Sequence, residues 1–275
     1  MSILVSKADG TTEAFEPAKL RVSLTRAGAG IDVVETVSKE VERELYNGIS
    51  TSQIYHRAFA LLHDYRRGVA ARYSLKRAVD EFGPSGFPFE AYIARLFETE
   101  GYQTQIDQIV QGGCVEHEVD VVLSKGREKV YIEAKFHNNP GYTTDLKTVL
   151  YVQARVEDIQ KVTPHTPVRG LVVTNTKFTA IAIKYSACAG LELLAWDYPE
   201  GRDLHERIDM AKLYPITALT TLTKGEKTAL LNKKVVLCSD ISQHSHTLSS
   251  VGIHGKRADV VLEEVGALCI PGKDI

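Results

Sequence analysis

The chain has 275 residues, a formal net charge of -2, 44% hydrophobic residues and 25% charged residues. This composition excludes a disordered or fibrous chain and is typical of a globular protein with two or three domains. The near-neutral charge also excludes binding to nucleic acid through the overall field, so any such contact needs a local basic face.

The sequence lacks both a membrane-spanning segment and an export signal, which bears on where in the cell the protein is expected. No stretch approaches the roughly 18 consecutive apolar residues that span a bilayer, and the N-terminus lacks a basic segment followed by an apolar run. The four cysteines are widely scattered without a Cys-x-x-Cys pair, which argues against a zinc knuckle and a disulfide scaffold. We therefore expect a soluble cytoplasmic protein without membrane contact.

The first segment, residues 1–83, is predicted to form a β-hairpin followed by a bundle of four helices. Pro17 favours a helix start, and Ser50-Thr51-Ser52 is an N-cap cluster. The predicted elements are strands Ile3 to Lys7 and Thr12 to Phe15 around a turn at Ala8 to Thr11, and helices from Pro17 to about Ala27, Val33 to Tyr46, Ser50 onward and Val69 to Phe82.

This segment resembles an ATP-cone, the nucleotide-binding regulatory module of ribonucleotide reductases and of the repressor that controls their genes. The residues that carry the resemblance are Val5 to Gly10, Glu13 to Phe15, Lys19-Leu20, Tyr46 to Thr51 and Val69 to Tyr73. The resemblance implies ATP or dATP as an effector.

By the same resemblance, the nucleotide contacts fall on Lys7, Glu13, Lys19 and Thr51. Lysines and a hydroxyl at a helix N-terminus suit a triphosphate, and a carboxylate suits a ribose hydroxyl or a base amine. The sequence departs from the family at Ala8, where an arginine is usual, and at Tyr55, where reductases often have a histidine. The alternative is that Lys7 and Lys19 are solvated cations and that the module only dimerises.

The central segment, residues 84–200, contains a predicted β-hairpin with unusual polar residues. Val119 to Leu123 and Val130 to Phe136 are β-branched and aromatic runs around Gly126. Because side chains alternate along a strand, Glu133 and Lys135 share one face, and the hairpin brings Asp120 opposite them. Two carboxylates and a lysine suit a Mg²⁺ site, although a solvated surface ion pair is the alternative.

These residues resemble the PD-(D/E)xK nuclease signature in the form found in Mrr-like restriction endonucleases, with Val119 in place of the proline. The helix Phe87 to Phe97 resembles the first helix of that core. The resemblance implies that Asp120, Glu133 and Glu90 hold Mg²⁺ or Mn²⁺ and that Lys135 assists the attacking water. It also implies a glutamine pointing into the site, here Gln153, and DNA as the substrate.

The remaining predicted elements complete an α/β/α sandwich around a mixed sheet. A helix from Asp145 to Ile159 carries Lys147, Gln153 and Arg155, which could meet a phosphate backbone. The other elements are a strand at Tyr102 to Ile106, a strand at Leu171 to Asn175, a helix at Phe178 to Ala189 and a strand at Leu191 to Trp196.

The last segment, residues 201–275, is predicted to be a small helical region. Its short helices faintly resemble a helix-hairpin-helix, and a helical cap on the core is the alternative. The pair His244 and His246 is predicted to belong to a polar loop, because no cysteine or carboxylate stands in register with it.

Two functions remain open from the sequence. The first is a Mg²⁺-dependent DNA endonuclease regulated by ATP or dATP, expected to act as a homodimer or larger homo-oligomer because double-strand cleavage by such a core needs two sites. The second is a non-catalytic, nucleotide-responsive DNA-binding regulator in which the nuclease core is only a scaffold.

Overall fold

The structure, a computed structural model, describes residues 3–7, 10–243 and 246–269. Ala8 and Asp9 of the predicted first turn, and His244 of the predicted polar loop, lie outside these residues. Within the described part of the chain, no helix is long and apolar enough to cross a membrane.

The first segment folds as a β-hairpin with helices, as predicted. Its elements are β1 (Leu4–Ser6), β2 (Thr12–Ala14), α1 (Pro17–Arg26), α2 (Ile31–Arg43), β3 (Ile49–Ser50), α3 (Thr51–Tyr65), α4 (Arg67–Tyr73) and α5 (Leu75–Asp80). Ser50 caps α3 through a reciprocal pair of hydrogen bonds with Gln53. Strand β3, which the sequence pattern misses, pairs in parallel with β1.

The prediction of one helix from Val69 to Phe82 is wrong, because the helix is interrupted at Ser74. The Ser74 hydroxyl donates a hydrogen bond of 2.8 Å to the carbonyl of Ala71. At Ser74 the backbone has a φ of −84° and a ψ of 0°, which lie outside the regular α-helical values, so the helix breaks there.

The central segment contains a five-stranded mixed sheet, in agreement with the predicted sandwich. Its elements are α6 (Phe87–Thr99), β4 (Gln103–Gln111), β5 (Glu116–Lys125), β6 (Glu128–Lys135), β7 (Thr143–Thr144), α7 (Leu146–Val162), β8 (Val168–Thr174), β9 (Lys177–Phe178), α8 (Ala180–Ala189) and β10 (Glu192–Leu194), and α9 (Leu204–Ala211) follows at the start of the last segment. The strand order is β10-β8-β6-β5-β4, and β7 pairs with β9 in a separate small sheet.

Strand β6 joins the two halves of the large sheet. It pairs antiparallel with β5 and in parallel with β8. One face of β6 meets α7, since Tyr131 packs in one apolar cluster with Ile159. The other face meets α6, since the Phe136 ring, next after β6, lies 5.5 Å from the Phe89 ring. Helices α6 and α7 therefore cover opposite faces of the sheet.

The last segment is helical and contains α10 (Lys224–Asn232), α11 (Cys238–Gln243) and α12 (Gly255–Cys269). Helix α12 is absent from the sequence predictions. The chain forms two compact units. The first comprises the described residues within Met1–Ala78, Tyr214–Leu230 and Cys238–Ile275, and the second comprises Val79–Leu213 and Leu231–Leu237. Most of the last segment thus belongs to the unit that contains β1 to α4.

Candidate functional sites

The hairpin of β5 and β6 brings three of the predicted site residues together. The register pairs Val121 with Ile132, so Asp120 lies one residue further along, at the level of Glu133. The Asp120 carboxylate accepts a hydrogen bond of 2.7 Å from the backbone N–H of Ala134. This bond links the carboxylate to the middle residue of Glu133-Ala134-Lys135, at the carboxyl end of β6.

Glu133 is buried, with 4% of its surface exposed, and it has a cation on each carboxylate oxygen. Lys135 forms an ion pair with Oε1. The Arg155 guanidinium, from α7, donates to Oε2 at 2.6 Å. A buried carboxylate requires such compensation, because its charge is otherwise very unfavourable in a low-dielectric interior.

Glu90 lies in the first turn of α6 and is electrostatically coupled to this group. Burial raises the pKa of Glu90 to about 7, and the negative charges of Asp120, Asp107, Glu118 and Glu133 act in the same direction. Burial, followed by the charge of Glu133, also raises the pKa of Asp120. The site therefore concentrates negative charge that a cation would compensate.

The carboxylates Asp120, Glu133 and Glu90 fit a hard divalent ion by their chemistry. Magnesium prefers oxygen ligands and is commonly bound by one or two carboxylates, with waters and substrate phosphate completing the shell. In the part of the chain that the structure describes, no three His, Cys, Asp or Glu side chains form a ready metal-binding group. Asp120, Glu133 and Glu90 therefore have the ligand chemistry that such an ion prefers, but they do not form a preassembled binding group.

The structure gives Gln153 and Arg155 different surroundings. Gln153 donates a hydrogen bond of 2.9 Å to Glu157 on the same helix. Arg155, expected from the sequence to meet phosphate, is buried on Glu133 instead. Its position follows from the apolar stripe of α7, because Arg155 lies three residues after Val152 and four before Ile159, both buried. This spacing is the signal that the sequence interpretation missed.

Asp107 is a further acidic residue that the sequence interpretation missed. The pairs Ile106 with Val121 and Gln108 with Val119 place it opposite Asp120, on β4. Its backbone has a φ of 55°, in the left-handed region. Aspartate is one of the few residues besides glycine that visit this region, so an Asp within a strand pattern is a local signal for such a distortion.

Two of the predicted nucleotide residues, Lys7 and Thr51, lie at one end of the small sheet of the first unit. Strands β1 and β3 are parallel, with Ser6 paired to Ser50, so Lys7 and Thr51 leave the sheet at the same end. Glu13 accepts an ion pair from Lys7 at 2.6 Å and one from Lys19 at 3.5 Å. The hydrogen bond from Lys7 is the main reason that the pKa of Glu13 lies below its usual value.

Tyr55, one of the two departures from the cone pattern, belongs to an aromatic stack. Its ring lies 5.2 Å from the ring of Tyr73 in a stacked arrangement. The Arg77 guanidinium lies 3.8 Å from the centre of the Tyr55 ring and donates to Ser52 at 2.7 Å. A cation above an aromatic face is a stabilising arrangement.

Comparison with known proteins gives three family matches. An ATP cone domain matches residues 3–81, a restriction endonuclease domain of the Mrr type matches residues 84–200, and the C-terminal domain of AF1548-like proteins matches residues 214–269. The two main resemblances drawn from the sequence are thereby confirmed. The predicted fold class is confirmed as well.

Two relatives are matched by this chain over nearly the whole of their own length. An uncharacterized protein of Archaeoglobus fulgidus is 39% identical over 173 residues, which cover 62% of this chain and 97% of the relative. The crystal structure of the protein of unknown function AF1548 is 37% identical, covers 66% of this chain and 96% of that chain, and has a TM-score of 0.56. The chain belongs to the AF1548-like family.

This AF1548-like chain therefore combines a restriction-endonuclease-like domain with a nucleotide-binding type of domain. The group of Asp120, Glu133 and Lys135 lies within the Mrr-type match, and the group of Lys7 and Glu13 lies within the cone match. The MspJI restriction endonuclease in complex with a 27-mer oligonucleotide also matches, with 14% identity over 70% of this chain and 39% of that chain. Its TM-score of 0.35 is too low to support any argument.

Proposed function

We propose that this AF1548-like chain is a Mg²⁺-dependent DNA endonuclease whose activity responds to ATP or dATP bound at the cone. The observation that carries the proposal is the convergence of Asp120, Glu133 and Lys135 at the carboxyl end of β6. Two carboxylates can hold a metal ion, and an adjacent ammonium can stabilise the negative charge that develops during phosphodiester hydrolysis.

Each residue has a distinct role in this proposal. Asp120 and Glu133 would hold the metal, which when bound neutralises phosphate charge and lowers the pKa of a water ligand. Asp120 is oriented for this by its bond to Ala134. Glu90, in the first turn of α6, would support the ion. Gln153 is predicted to orient the groups of the site.

Lys135 is the residue best placed to contact substrate. Its side chain is 42% exposed, whereas that of Arg155 is 6% exposed, although both contact Glu133. The ammonium can therefore leave Glu133 for a phosphate oxygen or the attacking water, whereas the guanidinium is enclosed. Positive charge positioned where negative charge develops lowers the barrier of the reaction.

The test is cleavage of plasmid DNA by the full chain with Mg²⁺ or Mn²⁺. Asp120→Ala and Lys135→Ala are each expected to reduce the cleavage rate by about 100-fold or more, as the loss of a residue that stabilises the transition state does. Lys129→Ala is the matched control, because Lys129 is an exposed lysine at the other end of β6. Equal cutting by all four proteins would refute the assignment.

The nucleotide response is tested in the same assay with and without ATP or dATP. The wild-type rate is expected to change with nucleotide, and the double variant Lys7→Ala/Lys19→Ala is expected to lose that change while it still cuts. Lys39→Ala, an exposed lysine of α2, is the control and should respond as the wild type does. A response that survives the double variant would place the effector elsewhere.

One observation favours the second candidate, a non-catalytic DNA-binding regulator. Both oxygens of Glu133 are already in ion pairs, which a purely structural carboxylate would also show. Nucleotide-dependent DNA retardation without cleavage under any divalent ion would support this candidate over the endonuclease. The same reactions, analysed by native and by denaturing electrophoresis, distinguish the two candidates.

A further inference from the structure

The exposed aromatic side chains of the second unit lie beside the candidate active site. The structure describes every residue of this unit, and among its phenylalanine, tyrosine and tryptophan residues only Tyr142 and Tyr151 are exposed, by 63% and 58%. Tyr142 belongs to the loop that follows β6, and Tyr151 belongs to α7. Exposed apolar residues need no explanation when they are scattered, but two rings beside one site suggest a ligand that covers them.

The Tyr151 ring is held by Arg155, one turn further along α7. The Arg155 guanidinium lies over the ring, 4.6 Å from its centre, and also bonds to Glu133 at 2.6 Å. A cation over an aromatic face is a stabilising arrangement that fixes the orientation of the ring. Because Tyr151 is nevertheless 58% exposed, the face opposite the guanidinium is accessible. Tyr151 therefore offers an oriented ring with one free face.

The direction of α7 places Tyr151 at about the same level as Lys135. The chain passes from β6 through α7 to the parallel strand β8, so α7 runs antiparallel to both strands. Tyr151 precedes Arg155 by four residues, which moves it about 6 Å beyond Glu133 towards the carboxyl end of β6. Lys135 follows Glu133 by two residues, which moves it about 6.6 Å in the same direction. The ring and the ammonium that is proposed to meet phosphate are therefore neighbours.

An unpaired nucleobase is the ligand that suits a free aromatic face beside a phosphate-binding group. In a duplex the bases stack on one another and present only their edges in the grooves, whereas an unpaired base presents a face that can stack on an aromatic side chain. Proteins that bind single strands combine such stacking with cations along the backbone. Lys147, exposed and one turn from Tyr151 on the same side of α7, supplies such a cation.

We propose that the endonuclease site accepts DNA with unpaired bases beside the cleaved phosphodiester, and that Tyr151 stacks on one of these bases. Tyr142 provides a second ring, and Lys147 contacts a flanking phosphate. This inference rests on the proposed endonuclease function, because it names the DNA structure that the same site binds. It adds Tyr142 and Tyr151 to the residues that contact substrate.

The test compares two DNAs, a duplex with a central single-stranded gap and an intact duplex of the same length. Binding to the full chain is measured by fluorescence anisotropy, with Ca²⁺ in place of Mg²⁺ so that cleavage is avoided. The wild type is expected to bind the gapped DNA at least about fivefold more tightly, the lower end of what one base–aromatic stack contributes. Tyr151→Ala is expected to lose most of this preference while retaining its affinity for the intact duplex, and Tyr142→Ala is expected to reduce the preference.

Three further variants separate stacking from other effects. Tyr151→Phe keeps the ring and should keep the preference. Tyr65→Ala removes an exposed tyrosine of α3 in the first unit and should bind both DNAs as the wild type does. Lys147→Ala should weaken binding of both DNAs by a similar factor, because a phosphate contact does not distinguish them. Equal binding of the two DNAs by the wild type, a preference that survives Tyr151→Ala, or its loss in Tyr151→Phe would overturn the proposal.

Cleavage of the same two DNAs with Mg²⁺ distinguishes failure of this inference from failure of the proposed function. Faster cutting of the gapped DNA, at or beside the gap, would support both. A chain that prefers gapped DNA in Ca²⁺ but cuts neither DNA would refute the endonuclease and support the stacking. Cutting of both DNAs without any preference in binding would support the endonuclease and refute the stacking.

Discussion

Glu133 lies between two cations of very different accessibility. Lys135 is partly exposed and can exchange its partner, whereas Arg155 is enclosed and stacks with its guanidinium 4.6 Å from the centre of the Tyr151 ring. Because the Oε2 side of Glu133 is buried, removing the guanidinium leaves this oxygen without its cation, and only the ion pair between Lys135 and Oε1 remains. Arg155 is therefore expected to act on stability and on the orientation of Glu133.

Arg155→Met is expected to lower the free energy of unfolding by about 3 kcal/mol, the usual cost of removing one partner of a buried ion pair. Urea unfolding measures this change. The double variant Glu133→Gln/Arg155→Met is expected to recover part of the loss, because the charge that then lacks a partner is that of Lys135, whose side chain is 42% exposed to solvent. Arg95→Met serves as the control, since Arg95 pairs with Glu98 at the surface and such pairs contribute about 0–1 kcal/mol. Equal losses for both single variants would contradict the assignment.

At the scale of elements, Asp158 of α7 holds the tip of the β4–β5 hairpin. Its carboxylate accepts from the backbone N–H of Cys114 at 3.0 Å and bonds to the His117 ring at 3.0 Å. A Cβ on Gly112 would lie 2.2 Å from the same carboxylate, so only glycine fits there. This contact fixes the hairpin that positions β5, and with it Asp120.

The contact makes stability depend on pH. Hydrogen bonds from Cys114, then from His117, hold the pKa of Asp158 well below its usual value. A carboxyl group with a lowered folded-state pKa stabilises the protein above its unfolded pKa of about 3.9, and this contribution is lost as the pH falls below that value.

Asp158→Asn is accordingly expected to lower the melting temperature at pH 7, with the difference from wild type shrinking as the pH falls below about 4. Thermal unfolding followed by circular dichroism across this pH range measures the difference. Glu157→Gln, the adjacent exposed carboxylate, is the control and should show little effect at any pH. A difference in melting temperature that stays constant with pH would show that the charge of Asp158 does not contribute to stability.

At the scale of the whole molecule, most of the C-terminal segment is part of the first unit. Helix α12 packs against α4, since a Cβ at Gly68 would lie 3.7 Å from the Ala267 side chain. Glu264 of α12 is buried and accepts four hydrogen bonds, from the backbone and hydroxyl groups of Thr220 and Thr221. These bonds satisfy a buried carboxylate within the same unit.

Val265→Asp in α12 is expected to loosen the first unit and leave the central sheet intact. Val265 is buried, and an unpaired charge there costs several kcal/mol. Hydrogen exchange should accelerate in α4 and remain unchanged in β5 and β6. Glu263→Ala, an exposed change on the same helix, is the control. Unaltered exchange in α4 would show that α12 does not support it.

The sequence alone determined what depends on local geometry. Strand alternation places Glu133 and Lys135 on one face, a Gly-containing turn returns the chain so that Asp120 lies beside them, and Ser50 marks the start of α3. Motif residues also carried both family resemblances. These features need only neighbouring residues, or a hairpin whose turn sets its register, so they can be read along the chain.

Only the tertiary structure decided how distant elements meet. The rotation of α7 on the sheet turned Arg155 to Glu133, and the strand order placed Asp107 opposite Asp120. The placement of α12 in the first unit is of the same kind. Such contacts form when apolar surfaces from distant parts of the chain pack together. The same local sequence pattern is compatible with several ways of packing, so the pattern alone does not determine these contacts.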